Sequence, residues 1–394
     1  MTRLRIIVVA LLLATVFAAA SGAASPRELL PGVTYERIAQ RTLQGPLVLH
    51  VVRAPRPGGL YDLRPVLATD TIVGRETVTS MQKRLAGEAT MVGVNADFFD
   101  LAVGRPSGIL MRDTALIHPP TGGRSSVGIT LDGRLDVQRV QFFATWRATG
   151  EAHPLDDLNQ APGPNEIALF SSSWGSVTPA VPGAVVAILF PLPLPAPGAD
   201  LTAPVLELRQ ASAPVPIPPG GAVLVATGSA AAELQAEAPV GSEVAIQLIL
   251  RPEWPEVVHA VGGGPVIVRD GKPVFRANEE FLQSQLGPRF PRTAVGQTAD
   301  GRLLLVTVDG RSAESVGVTN WGLAQAMVRL GAVTAAAMDS GGSSTLAFDG
   351  VVLNTPSDRR GERPVADALM LAYTGVYAPP GEVVTSALRP LEVD

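Results

Sequence analysis

Short apolar runs alternate with polar punctuation along the chain, and few of the runs are long enough for helices. Residues 47–52 (LVLHVV), 63–68 (LRPVLA), 89–95 (ATMVGVN), 303–308 (LLLVTV) and 333–338 (VTAAAM) have the length and composition of buried strands. Runs at 185–190, 205–208, 222–227, 244–250, 257–261 and 266–268 read the same way. Helical spacing occurs at 78–85, through Val78, Met81 and Leu85, and at 320–330, through Trp321, Ala324, Met327, Val328 and Leu330. Thr319 is placed as N-cap of the second helix and Gly331 as its C′ residue. Five Asp-Gly pairs, at 132, 270, 300, 309 and 349, sit between apolar runs and signal primed hairpin turns. The pair at Asp309 also ends the most apolar run and is followed by Arg311, so a site and a simple turn are both open there.

Eleven prolines between Pro179 and Pro219 deny that region a regular central sheet, because proline donates nothing to a ladder. Apolar runs continue on both sides, so a β-rich lobe over about 165–252 is expected within one domain rather than a linker between two. The predicted fold is therefore α+β: mixed, largely antiparallel β-sheets with a few packed helices in one composite domain over 25–378. A polar tail follows at 379–394.

Two strand ends carry candidate chemistry. The run 333–338 delivers Asp339, and Ser340, Gly341, Gly342, Ser343 and Ser344 follow. An anion, several hydroxyls and bare backbone then share a small volume, where glycines permit positive φ and close ligand approach. A Gly-Ser connection with Asp339 capping its own turn has the same composition. The run 89–95 likewise ends in Asn95, with Asp97 and Asp100 around Phe98 and Phe99, residues that also favour turns. Gly262, Gly263, Gly264 and Pro265 form a backbone able to press against a ligand or a neighbouring strand. No helix follows them to make a phosphate loop.

Composition narrows the chemistry. The 394-residue chain has a net charge of −5, which offers no basic footprint for nucleic acid. Arg3 and Arg5, the apolar run 6–20 and the small residues 21–24 have the order of a cleaved signal peptide (1–24), and the run is short for a membrane span. Export as a secreted or periplasmic protein, with no stable span after cleavage, is expected. There is no cysteine, so disulfides, thiol nucleophiles and thiolate metal sites are excluded. The four histidines, His50, His118, His153 and His259, lack zinc-hydrolase spacing. No cofactor is required. Asp97, Asp100, Asp309 and Asp339 could give oxygen ligands to a structural calcium, although no loop has the spacing of a calcium site.

Six motifs fall in one order: VNADFF (94–99), GGGPVIVRDG (262–271), RTAVG (292–296), VDGR (308–311), LAQAMVRLGAVTAAAMDSGGSST (323–345) and ERPVADAL (362–369). In this order the chain resembles the phosphodiester glycosidase family. The resemblance implies hydrolysis of a sugar-1-phosphodiester to free sugar and a phosphomonoester, with a glycan or sugar-phosphate substrate. Such a reaction needs a carboxylate near the anomeric carbon and cationic or N–H donors for the phosphate. Asp339 and Asp309 are the catalytic candidates, one raising the pKa of the other. Arg292, Arg311 and Arg363 are the phosphate-holding candidates, an ion pair being the alternative for each. Gly341, Gly342, Ser343 and Ser344 would add donors, and Asn95 would bind a sugar hydroxyl or acetamido group. Asp97, Gly263, Gly264, Thr293 and Ser340 complete the candidate substrate-binding set. Two positions depart from the family pattern: Ser340 replaces the first glycine of the elbow, and Asp97 stands where glycine is usual. Aspartate tolerates positive φ better than most residues, so Asp97 is compatible with the backbone, but its carboxylate would repel an anionic diester. These departures keep open an exported carbohydrate or cell-wall polysaccharide binding protein without turnover, and a phosphodiesterase cutting on the phosphorus side.

Overall fold

Strand Leu303–Val308 splits its side chains between two cores. Leu303 and Leu305 enter one, Leu304, Val306 and Val308 the other, as the two-residue period of a doubly covered strand requires. A computed structural model describes residues 22–23, 25–274 and 277–377 of the chain. Apart from Gly22–Ala23, the expected signal segment lies outside the described residues, as does the tail.

Leu303–Val308 is central to a nine-stranded sheet, between Gly45–Ala54 and Arg292–Thr298, with Ala332–Ala337 and Val266–Arg269 beyond the latter. Helix Asn320–Arg329 covers one face through Leu323, Ala324 and Met327. Its Thr319 hydroxyl accepts the Gly322 amide, and Gly331 has φ +96°, so both expected helix ends are formed. The other face packs on a five-stranded sheet containing Thr90–Asn95 and Asp367–Tyr373, through Val92, Val94, Leu369 and Leu371. Leu303–Val308 and Ala332–Ala337 are both antiparallel to the strand between them, so they run the same way and leave the sheet at one edge. That edge carries Asp309 and Asp339.

The remaining sheets are a five-stranded one from Leu110 to Val261 in sequence span, and an eight-stranded lobe from Gln141–Arg147 to Glu243–Arg251. The lobe sheet starts some twenty residues before the expected boundary at 165. It is no detached unit, since its buried side chains share a cluster with Ile109, Met111, Leu116, Val257 and Ala260. Helix Gly228–Glu237 was not expected, because Ala230, Ala231 and Leu234 make its buried face and alanine gives weak periodicity.

Within the described residues the fold is more β-rich than a balanced α+β class: the α-helices are four, each of ten residues or fewer. Strand pairing is antiparallel except between Asp157–Leu158 and Ile167–Ser171. Four Asp-Gly pairs are hairpin turns. Asp270-Gly271 (φ +50° and +69°) and Asp349-Gly350 (φ +47° and +74°) have the positive angles of a primed turn at both residues. Asp309-Gly310 joins no hairpin. No helix among the described residues is long and apolar enough to cross a membrane.

Candidate active site

The last residues of Ala332–Ala337 and Thr90–Asn95 meet where two sheets abut. Met338 N–H donates to Thr293 O at 2.9 Å, and Asp339 N–H donates to Ala96 O at 2.9 Å. The Asn95 side chain fastens the junction. Its Nδ2 donates to Asp339 O (2.9 Å), while its Oδ1 accepts the Thr293 hydroxyl (2.7 Å) and the Thr345 amide (3.0 Å). Asn95 and Thr293 are each 0% exposed. The sugar contact expected of Asn95, and the substrate role of Thr293, therefore give way to a positioning role. The amide at this strand end is spent on the backbone of the elbow.

Asp339 is half-buried at the side of a cavity of about 180 Å³, with Phe98, Phe281, Phe290, Arg292 and Ser340 also lining it. Larger hollows of about 480 and 680 Å³ lie beside Trp254 and Asn278, so volume does not select the site; convergence of a carboxylate, cations and aromatic rings does. Burial raises the Asp339 pKa to about 6 against the Ser343 hydroxyl, the Ser340 amide, Arg363 and Arg292, which all favour the ionised form. The Ser340 amide donates to Asp339 Oδ1 at 2.7 Å. Dense protein around the carboxyl removes water from it although the residue keeps an open side.

The three arginines differ. Arg292 is buried and donates through Nε and Nη2 to the carbonyls of Val318, Gln285, Leu286 and Pro288, so it pins the segment that carries Phe290. Its Nη1 makes no hydrogen bond among the described residues, and the residue lines the cavity. Burial, then the charge of Arg311, lowers its pKa to about 10, so it stays cationic. Arg311 is exposed, with φ +60°. Its guanidinium lies 4.8 Å from the Phe290 ring centroid and has one long hydrogen bond, to Ser357 Oγ at 3.4 Å. Arg363 is committed to Asp358 through two bonds, of 2.8 and 3.0 Å, and reaches Ser343 Oγ at 3.3 Å. It supports Asp339 through Ser343. The adjacent Glu362 is bound instead to Thr79.

Within the elbow, Gly341 takes φ +70° and donates to Pro291 O, and Gly342 packs so closely that a Cβ there would run into Arg363 and Asp358. Ser344 is buried, its Oγ without a partner among the described residues. Gly264 lines the cavity, whereas Gly263 packs against Ala337 and Met338.

Two further expectations, for Asp309 and Asp97, need correction. Asp309 does not line the cavity. It is 5% exposed, with Oδ2 at 2.9 Å from His50 Nε2, and Oδ1 accepting from Thr355 N (3.0 Å) and Asn354 Nδ2 (3.4 Å). His50 Nδ1 in turn meets the Tyr35 hydroxyl at 2.8 Å. Although burial opposes it, these partners lower the Asp309 pKa. The elbow separates it from Asp339, so neither acid raises the other. The carboxyls that do face one another are Asp97, Asp339 and Asp367. Asp97 is 3% exposed, accepts the Phe98 and Gly108 amides (2.8 and 2.5 Å) and donates its own amide to Asp367 Oδ1. Its φ is not positive, it does not line the cavity, and its carboxyl takes space that Gly262 leaves open. Burial raises its pKa to about 7. The residue expected to touch and repel substrate is thus an interior group. Burial, reinforced by Asp97, raises Asp367 well above the carboxylate range.

Asp367, Phe281 and Phe290 went unassigned in the sequence. Asp367 was visible inside ERPVADAL, but the phenylalanines sit in an irregular stretch that gives no periodic signal. Among the described residues no three His, Asp or Glu side chains are grouped to hold a metal ion.

Residues 208–372 match the family model described as phosphodiester glycosidase. The likeness read from the motifs is therefore present in the last part of the lobe and the two sheets that carry Asp339. A SPbeta prophage-derived uncharacterized protein of Bacillus subtilis, YomE, is 38% identical over 107 residues, 27% of this chain and 16% of that protein. Bovine N-acetylglucosamine-1-phosphodiester alpha-N-acetylglucosaminidase is 39% identical over 67 residues, 17% of this chain and 12% of the enzyme. The matches span less than a fifth of those relatives' lengths. Among solved structures, a hypothetical protein from Synechocystis has TM-score 0.72 at 20% identity, over 88% of this chain and 63% of that one. A Burkholderia pseudomallei protein described as exported has TM-score 0.66 at 23% identity, over 83% and 74%. These two show that the fold, including residues before 208, recurs.

Proposed function

We propose, from the family likeness of residues 208–372 and the surroundings of Asp339, that the chain is an exported hydrolase of sugar-1-phosphodiesters, N-acetylglucosamine-1-phosphodiester-like in class. The observation that carries the proposal is a single half-open carboxyl, with pKa about 6, in a cavity walled by three phenylalanines and faced by arginine. Phe98, Phe281 and Phe290, each beside an arginine guanidinium, offer apolar ring surface to a sugar. Arg292 Nη1 and Arg311 offer N–H donors to the phosphate. Among the described lining residues Asp339 is the only carboxyl. One suffices, since phosphate leaves without a general acid as strong as an ordinary glycoside needs.

In the reaction the bond between the anomeric carbon and the phosphate oxygen breaks with its electrons on oxygen, and the arginines hold the departing phosphomonoester. Asp339 supports the cationic sugar, either accepting the proton of the attacking water or bonding to carbon before water replaces it. Both roles need the ionised form. The sugar gains the hydroxyl of water.

The test is incubation with the methyl phosphodiester of N-acetylglucosamine 1-phosphate and identification of products. Free sugar and methyl phosphate are expected, and Asp339→Asn should remain folded while losing turnover about a thousandfold or more. Sugar 1-phosphate would place the cut on the phosphorus side, and turnover unchanged in Asp339→Asn would remove the assigned role.

A further inference from the structure

A second hollow, of about 430 Å³, lies on the lobe side of the turn that follows strand Ala115–His118. Its lining differs from that of the Asp339 cavity. Phe143 presents a ring that is 51% exposed, Gln141 is exposed at the rim, and Asp157 and Gln160 stand half-buried and bonded to each other. His118 is 4% exposed. Its Nδ1 lies 2.8 and 2.9 Å from the carbonyls of Gly108 and Pro119, which can only accept, so Nδ1 carries the proton. Nε2 is then a bare acceptor, buried and without a partner among the described residues. Burial lowers the His118 pKa to about 4, which keeps the ring neutral. Leaving such an acceptor unmatched is costly, and a ligand hydroxyl would satisfy it.

We infer that this hollow is a second saccharide-binding subsite, taking an uncharged sugar unit of a longer glycan. The groups present suit hydroxyls: a neutral imidazole nitrogen and a carboxylate to accept, side-chain amides to donate or accept, and an open aromatic face for the sugar ring. Asp156 and Asp157 on its wall disfavour a phosphate, so the two hollows sort their ligands by charge. They are also neighbours. Thr121 and Gly122 line the second hollow, and Arg124, whose amide donates to Thr121 O, places its guanidinium 5.4 and 4.7 Å from the rings of Phe98 and Phe281 in the first. A chain of sugars crossing this turn would occupy both. The inference goes beyond the proposed reaction and does not require it, because it concerns binding.

Binding of glucose-, galactose- and N-acetylglucosamine-based tetrasaccharides to the full chain, measured by calorimetry in the Asp339→Asn background, tests it. Saturable binding of at least one is expected. Phe143→Ala at an exposed position and Gln160→Ala at a half-buried one should each weaken it about five- to tenfold, the loss expected for one aromatic face or one polar contact. The same two variants should leave turnover of the methyl phosphodiester of N-acetylglucosamine 1-phosphate unchanged. Absence of binding for all three glycans, or binding indifferent to both substitutions, overturns the subsite. Failure of hydrolysis alone leaves it standing.

Discussion

Asp339 and Asp309 end neighbouring runs of similar character, yet their surroundings give them opposite chemistry. Burial with an open side leaves Asp339 titrating at about 6, whereas imidazole and amide partners keep Asp309 ionised and closed in. If the ionised form of Asp339 acts, kcat/KM should rise with pH through about 6 and then level off. A profile that falls through 6 would make Asp339 an acid. Asp309→Asn should keep turnover within about tenfold of the parent while lowering stability by about 1–3 kcal/mol, since one buried bond to His50 or Thr355 is lost. Parallel assays of Asp309→Asn and Asp339→Asn, with denaturant unfolding of each, separate support from chemistry. Because the folded pKa of Asp309 is depressed, its stabilisation is present above the unfolded carboxylate range and disappears as pH falls through the folded value.

The elbow from Ser340 to Thr345 decides how the strand ends are used. Asn95 holds its two ends, at Asp339 O and Thr345 N, and Asn354 holds Ser344 O while also reaching Asp309. Ser343 passes the Arg363–Asp358 pair to Asp339. A methyl group at Gly342 meets the fixed ends of that pair, so Gly342→Ala should cost about 1–3 kcal/mol by overpacking and should lower turnover with it. Circular dichroism melts alongside the product assay would show both. Loss of neither would mean that Arg363 swings aside freely.

At the scale of the molecule, burial of acids sets the response to pH. Asp97, Asp157 and Asp339, with values of about 7, 6 and 6, and Asp367 above them, retain protons in the folded state that the unfolded chain has released. Their sum makes stability fall as pH rises from about 4 to above 7, because these four acids bind more protons in the folded state, and this outweighs the opposing group, His118, whose pKa burial lowers to about 4. Melting temperature should therefore be higher at pH 5 than at pH 8. An increase across the same range would show that these carboxyls are better solvated than their packing implies. The cluster joining the lobe to Ile109, Met111, Leu116, Val257 and Ala260 makes a further demand. Limited proteolysis should not release two stably folded pieces divided near residue 200.

Local pattern alone determined the strands at the long apolar runs, the two helices with clear apolar stripes, four hairpin turns and the presence of a carboxyl at the strand end at Asp339, but not strands such as Val33–Thr42 and Asp367–Tyr373. These follow from side-chain period, capping and turn geometry, which act over a few residues. Tertiary structure decided the rest. It closed Asn95, Asp97, Thr293 and Asp309 into the interior, brought Phe281 and Phe290 to the cavity from an irregular segment, and set Asp367 against Asp97 across a sheet. The physical reason is that accessibility and pKa depend on what packs against a group from distant parts of the chain. A polar residue closing an apolar run has the same local signature whether it faces solvent, substrate or another strand.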